Sequence, residues 1–116
     1  MISIEKEERP WGAFFVIHNE PTYKLKRIEL NPKARISYQY HNKRSEAWTI
    51  VEGKGTITLD GVKRDYKVGE TIIIHQGVKH RIENKGKHKV IFIEVQTGTY
   101  FGEDDIVRIQ DDYDRK

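Results

Sequence analysis

The segment Gln39-Tyr40-His41-Asn42-Lys43-Arg44-Ser45-Glu46 gathers an amide, an imidazole and a carboxylate within eight residues, and a lone His80 follows much later. On a strand, Gln39 and His41 project to the same face, because side chains alternate with period two. Glu46 opens the next apolar run, Trp48-Thr49-Ile50-Val51, so a hairpin-like connection would bring it beside them. His80 would supply a fourth ligand from a distant strand. Amide, imidazole and carboxylate donors together suit a divalent ion such as zinc, manganese, iron, nickel or cobalt, and the set alone does not choose among them. The same residues would also serve a polar loop rich in hydrogen bonds.

Ligands from distant parts of a chain need a rigid frame. Glycines punctuate the middle of the sequence at Gly53, Gly61, Gly69, Gly77 and Gly86, at intervals of eight, eight, eight and nine residues. Between them lie the β-prone runs Thr56-Ile57-Thr58-Leu59, Thr71-Ile72-Ile73-Ile74 and Arg81-Ile82-Glu83, then Lys89-Val90-Ile91-Phe92-Ile93-Glu94-Val95. β-Branched and aromatic residues favour strands, and Asp60-Gly61 is a hairpin-turn signal. Upstream, Tyr23-Lys24-Leu25-Lys26-Arg27-Ile28-Glu29-Leu30 alternates polar and apolar like a half-buried strand. Short strands at this spacing predict an all-β sandwich or barrel. Only residues 104–110 carry a weak helical period, and the charged stretch 111–116 is expected to fray. Trp11 and Trp48 are expected in the core, and His18 and His88 at the surface.

The chain has 116 residues, the size of one domain with a real core. Charged residues make up 34% of it, yet the net charge is only +3. Abundant but balanced charge argues for solvated surfaces and a local anion site. It argues against a nucleic-acid partner, which would call for a basic face with interleaved aromatics. Cysteine is absent, which excludes disulfides and thiolate metal sites. The first residues contain no signal-like apolar stretch, and the longest apolar run, 13–17, is too short to span a bilayer. A cytoplasmic protein without a membrane partner is the expectation.

Several blocks carry a family resemblance that runs nearly end to end. They include Arg9-Pro10-Trp11-Gly12, Ser37-Tyr38-Gln39-Tyr40-His41, Arg44-Ser45-Glu46-Ala47-Trp48 and Val51-Glu52-Gly53-Lys54-Gly55. Further along come Gly77-Val78-Lys79-His80-Arg81-Ile82-Glu83-Asn84 and the long block from Glu94-Val95-Gln96-Thr97-Gly98 through Phe101-Gly102-Glu103-Asp104-Asp105-Ile106-Val107-Arg108. The chain resembles the cupins, double-stranded β-helix jelly rolls, and among them the isomerase domain of type II phosphomannose isomerases. That domain is often fused to a mannose-1-phosphate guanylyltransferase. Many cupins place a second histidine where this chain has Lys43, and relatives often have histidine at the position of Ala47. The set Gln39, His41, Glu46 and His80 is similar to the zinc ligands of type I phosphomannose isomerases, which puts zinc first among the candidate ions.

The resemblance implies one cupin domain over residues 1–116, with arms at about 1–17 and about 98–116 around a core of about 18–97. It implies a mannose-6-phosphate isomerase working through a cis-enediol, without guanylyltransferase activity. The alternatives are a non-catalytic metal- and sugar-binding cupin, or a cupin enzyme acting on another sugar or nucleotide sugar. Enediol chemistry needs a base, for which Glu83, His75 and Lys43 are available, and the family's His-Arg pair would aim Arg81 at the substrate. The phosphate of a hexose phosphate would sit on Lys24, Lys26 and Arg108, with Arg27 nearby. A homodimer, with the terminal arms packing across a two-fold partner, completes the expectation.

Overall fold

The computed structural model describes residues 5–113. Eleven strands follow in chain order: β1 (Glu5–Arg9), β2 (Gly12–Asn19), β3 (Tyr23–Leu30), β4 (Tyr38–Tyr40), β5 (Arg44–Glu52) and β6 (Lys54–Leu59). The rest are β7 (Val62–Lys67), β8 (Thr71–Ile74), β9 (His80–Glu83), β10 (Val90–Gly98) and β11 (Val107–Gln110). No described residue lies in a helix, so no helix there is long and apolar enough to cross a membrane. Two antiparallel sheets form, one in the order β1-β2-β3-β10-β5-β8 and the other β11-β4-β9-β6-β7. Consecutive strands repeatedly change sheet, which is the jelly-roll topology.

Alternation along the strands decides what faces inward. In β10, Val90, Phe92, Glu94 and Gln96 are buried while Ile91, Ile93 and Val95 are only half-buried. In β5 the inward set is Arg44, Glu46, Trp48 and Ile50. The apolar members meet Ile57 of β6 and Ile82 of β9 from the other sheet, forming one core with Phe14, Ile28, Leu30 and Val90. Trp48 packs on Phe92 with ring centroids 4.7 Å apart. Both tryptophans are buried, and His18 and His88 are exposed, as their sequence contexts suggest. The Asp60-Gly61 turn joins β6 to β7 with φ of 45° and 85°, the left-handed pair that a two-residue hairpin requires.

Three expectations need correction. Among the described residues the N-terminal stretch, from Glu5 on, is no arm: β2 is paired with β3, and Trp11, Ala13, Phe14 and Val16 are core residues. Residues 1–4 lie outside the described residues, as do residues 114–116 of the stretch expected to fray. The C-terminal stretch likewise folds onto its own barrel, where β11 pairs with β4. Residues 107–110 are therefore strand and not helix, because β-branched Val107 and Ile109 meet an open edge. Finally, β4 and β5 belong to different sheets, so residues 41–43 cross the barrel instead of closing a hairpin.

Candidate metal centre and cavity

One cavity runs into the barrel between the sheets, and its walls come from both. Gln39 sits directly opposite His80 in the β4–β9 pairing. His41 follows β4 at the crossing, and Glu46 projects inward from β5. His41, Glu46 and His80 are all buried, and one donor atom from each lies within 4.8 Å of the others, a group able to hold a metal ion. The two sheets thus bring together residues that the sequence separates by up to 39 positions, from His41 to His80.

The histidines are oriented for that task. His41 Nδ1 lies 2.6 Å from the Asp105 carbonyl oxygen and His80 Nδ1 lies 2.9 Å from the Val78 carbonyl oxygen. A carbonyl can only accept, so each Nδ1 carries the hydrogen and each Nε2 presents a lone pair to the cavity. This is the outer-shell arrangement that orients imidazole ligands. Burial lowers the pKa of both rings, and His41, with the Arg44 charge beside it, falls to about 4. Both are thereby neutral at ordinary pH, the form a metal requires. His80 Nε2 is buried with no hydrogen-bond partner among the described residues, 3.8 Å from Glu46 Oε1. An orphaned buried nitrogen aimed at a carboxylate fits a cation between them. Gln39 lines the same cavity, with its amide nitrogen donating to Ser37 Oγ at 2.8 Å.

Asp105 does more than orient His41. Its carboxylate accepts hydrogen bonds from the amides of Asn42 and Lys43 at 3.0 and 2.9 Å, fixing the crossing that carries the ring. Gly98 starts the segment that delivers Asp105. Its φ is 148°, and a Cβ there would stand 2.3 Å from the Lys43 carbonyl oxygen. Only glycine fits so close an approach.

Other members of the site are not evident from ligand-type spacing. Glu94 is buried beside Glu46, and both carboxylates accept from the Trp48 indole nitrogen at 3.0 Å. Burial, then the Glu46 charge, pushes Glu94 up to about 7. Arg44, also buried, donates to Glu46 Oε2 at 2.7 Å and lies 3.3 Å from His41 Nε2. Gln96 donates to Glu94 at 2.6 Å. The signal for Glu94 was available: it continues the alternating face of Val90 and Phe92, where a charge has no place in a plain core strand.

The sequence-derived catalytic and phosphate residues divide. Lys26 and Arg108 line the cavity, together with Arg9, Arg44 and Glu103. Lys24 stands next to them, 3.9 Å from Glu103, but is not part of the wall. Lys43 is exposed, with its ammonium over the Tyr100 ring at 5.1 Å, outside the cavity. Arg81 and Glu83 also lie off the wall. The reason is regular alternation: His80 and Ile82 point in, so Arg81 points out, where it donates to the Ile36 carbonyl at 3.1 Å and to Gln110 Oε1 at 3.0 Å. No twist turns it toward a substrate. His75 is exposed in the loop after β8, and Arg27 pairs with Glu29 on the outer face.

A double-stranded β-helix holding a mixed histidine–carboxylate group inside its barrel defines a cupin. The fold comparison agrees: an uncharacterised Klebsiella pneumoniae protein with a double-stranded β-helix domain superposes with a TM-score of 0.71, at 20% identity, covering 80% of this chain and 79% of that one. Residues 3–111 match the family described as mannose-6-phosphate isomerase C-terminal, and the chain belongs to it. A Salmonella montevideo relative, 45% identical over 92% of this chain, is named mannose-1-phosphate guanylyltransferase. The xanthan biosynthesis protein XanB of Xanthomonas campestris pv. campestris (strain B100) is 41% identical over 95%. The chain spans only about a quarter of these relatives, 23% and 24% of their lengths. These names overturn one expectation. An isomerase enzyme set apart from guanylyltransferase activity is not what the relatives are named for.

Proposed function

We propose that this chain is a metal- and sugar-binding cupin module that takes a phosphorylated or nucleotide-linked sugar, in the service of nucleotide-sugar synthesis. The observation that carries the reading is the pair of neutral imidazoles, each held at Nδ1 by a backbone carbonyl and grouped with Glu46 in a cavity that cations also line. Gln39, His41, Glu46 and His80 would hold a divalent ion, with zinc the first candidate for two nitrogen and two oxygen donors. Such an ion supplies a fixed positive charge and a Lewis-acid contact for sugar oxygens. Lys26 and Arg108, with Lys24 beside them, would meet the ligand's anionic group.

Lys43, Arg81 and Glu83 lie off the cavity wall, so none of these three reaches a substrate proton there. The relatives' names, mannose-1-phosphate guanylyltransferase and xanthan biosynthesis protein, support a reading in mannose-1-phosphate and polysaccharide metabolism, and a cytoplasmic setting is proposed with it. A homodimer is proposed as well, and light scattering on the purified protein tests it. The function itself is tested by metal analysis paired with calorimetric titration of mannose 6-phosphate, mannose 1-phosphate and GDP-mannose. Stoichiometric metal, with saturable binding of one of these and no turnover, is the expected result. Conversion of a bound sugar into product would overturn it.

A further inference from the structure

The cavity wall also carries an ion cluster with an unequal construction. Lys26 Nζ lies 2.6 Å from Glu103 Oε2, and the same oxygen is 3.9 Å from both Lys24 Nζ and Arg44 Nη1. A single oxygen thus faces three cations. The Lys26 and Arg44 side chains are 3% and 6% exposed, and both stand on strands of the six-stranded sheet. Glu103 is 42% exposed and sits in the turn before β11. The cations are built into the wall, whereas the anion is carried on a surface turn.

Two further features point to a ligand. Arg44 Nη1 is buried without a hydrogen-bond partner among the described residues, on the side where Glu103 approaches only to 3.9 Å. Lys26 and Arg44 Nη1 both face Glu103 Oε2, so withdrawing Glu103 removes the carboxylate that lies against them. A phosphate dianion presents more oxygens than a carboxylate and can engage a guanidinium and an ammonium at once.

We propose that Glu103 is an internal stand-in for a phosphate: Lys26, Arg44 and Lys24 form a phosphate subsite, which a phosphorylated ligand enters by displacing the Glu103 carboxylate. The subsite rests on the sugar-phosphate reading above and adds to it the group that competes with the ligand. An occupied subsite lowers apparent affinity by the fraction of molecules in which it is closed.

The test uses the full chain, with inorganic phosphate, mannose 6-phosphate and unphosphorylated mannose as calorimetric probes. Glu103→Gln is expected to bind both phosphates about tenfold more tightly than wild type, with mannose unchanged. Lys26→Met is expected to weaken both phosphates. Phosphate affinities in a folded Glu103→Gln protein that are equal to or weaker than wild type would overturn the subsite. Should the glutamine variant fail to fold, Glu103→Asp keeps the charge but shortens its reach, and an unchanged phosphate affinity there overturns the proposal equally. The two readings can fail separately. Wild type that binds mannose 6-phosphate, with no gain in the variant, sinks only the subsite. A gain for inorganic phosphate, with no preference for the sugar phosphate, keeps the subsite and sinks the sugar-phosphate reading.

Discussion

The two halves of β10 face the same interior and do opposite things. Val90 and Phe92 join an apolar core with Leu30, Ile50, Ile57 and Ile82, all at most 1% exposed. Two residues further along the same face, Glu94 and Gln96 are equally enclosed but lie among Lys26, Arg44, Glu46 and the histidine pair. The first half stabilises the barrel through burial and close packing. The second half buries polar groups that must satisfy one another, and it leaves Gln96 Oε1 without a hydrogen-bond partner among the described residues. One strand therefore carries both the stability of the fold and the chemistry of the site, divided along its length.

That division is testable by substitution. Phe92→Ala should produce the largest loss of stability, about 3–5 kcal/mol, because a ring packed on Trp48 leaves a cavity that the sheets cannot close. Urea unfolding measures it, and a loss below 1 kcal/mol would mean that the apolar half is not the support it is taken to be. On the polar half, His80→Ala should leave the far-ultraviolet spectrum intact and weaken metal binding by roughly a hundredfold, about 3 kcal/mol. Full metal stoichiometry at micromolar zinc would remove His80 from the ligand set.

Smaller effects probe the edges of the comparison. Arg35 donates to both oxygens of Asp112 at 2.6 and 2.8 Å, tying the chain just after β11 to the barrel. That hydrogen bond to Arg35 holds the Asp112 carboxyl below its ordinary value. A carboxylate with a depressed folded pKa contributes stability above its unfolded value and loses it as the pH falls through the folded one. Wild type should therefore exceed Asp112→Asn in stability by roughly 0.5 kcal/mol at neutral pH, a modest figure because the pair is solvent-screened. The difference should vanish as the pH drops below the range of a normal aspartate, and thermal melts across the acid range would reveal a wrong sign. Lys43→Ala should do least, changing metal and sugar-phosphate affinity by less than about twofold, since its ammonium stands over Tyr100 and off the cavity wall. A large loss of binding would return Lys43 to the site.

Much of this molecule is legible before folding. The central β runs, the Asp60-Gly61 turn and the ligand types at Gln39, His41, Glu46 and His80 follow from residue type and period, because alternation and turn chemistry are local. Those rules also carry Arg81 away from the cavity, and the family resemblance alone pulled it inward. What local rules do not reach is which sheet a strand joins. The pairing of β4 with β9 sets Gln39 against His80, while β5 and β10 bring Glu46 and Glu94 in from the opposite wall. Glu103 and Asp105 look like members of an acidic turn in sequence. Only the folding of that turn against the barrel makes one the partner of Lys26 and the other the anchor of His41. Sequence by itself determined the central strands and the chemical inventory, since both depend on neighbours within a few residues. The tertiary structure decided which of those groups share an interior, because contacts across two sheets depend on pairing that no local pattern encodes.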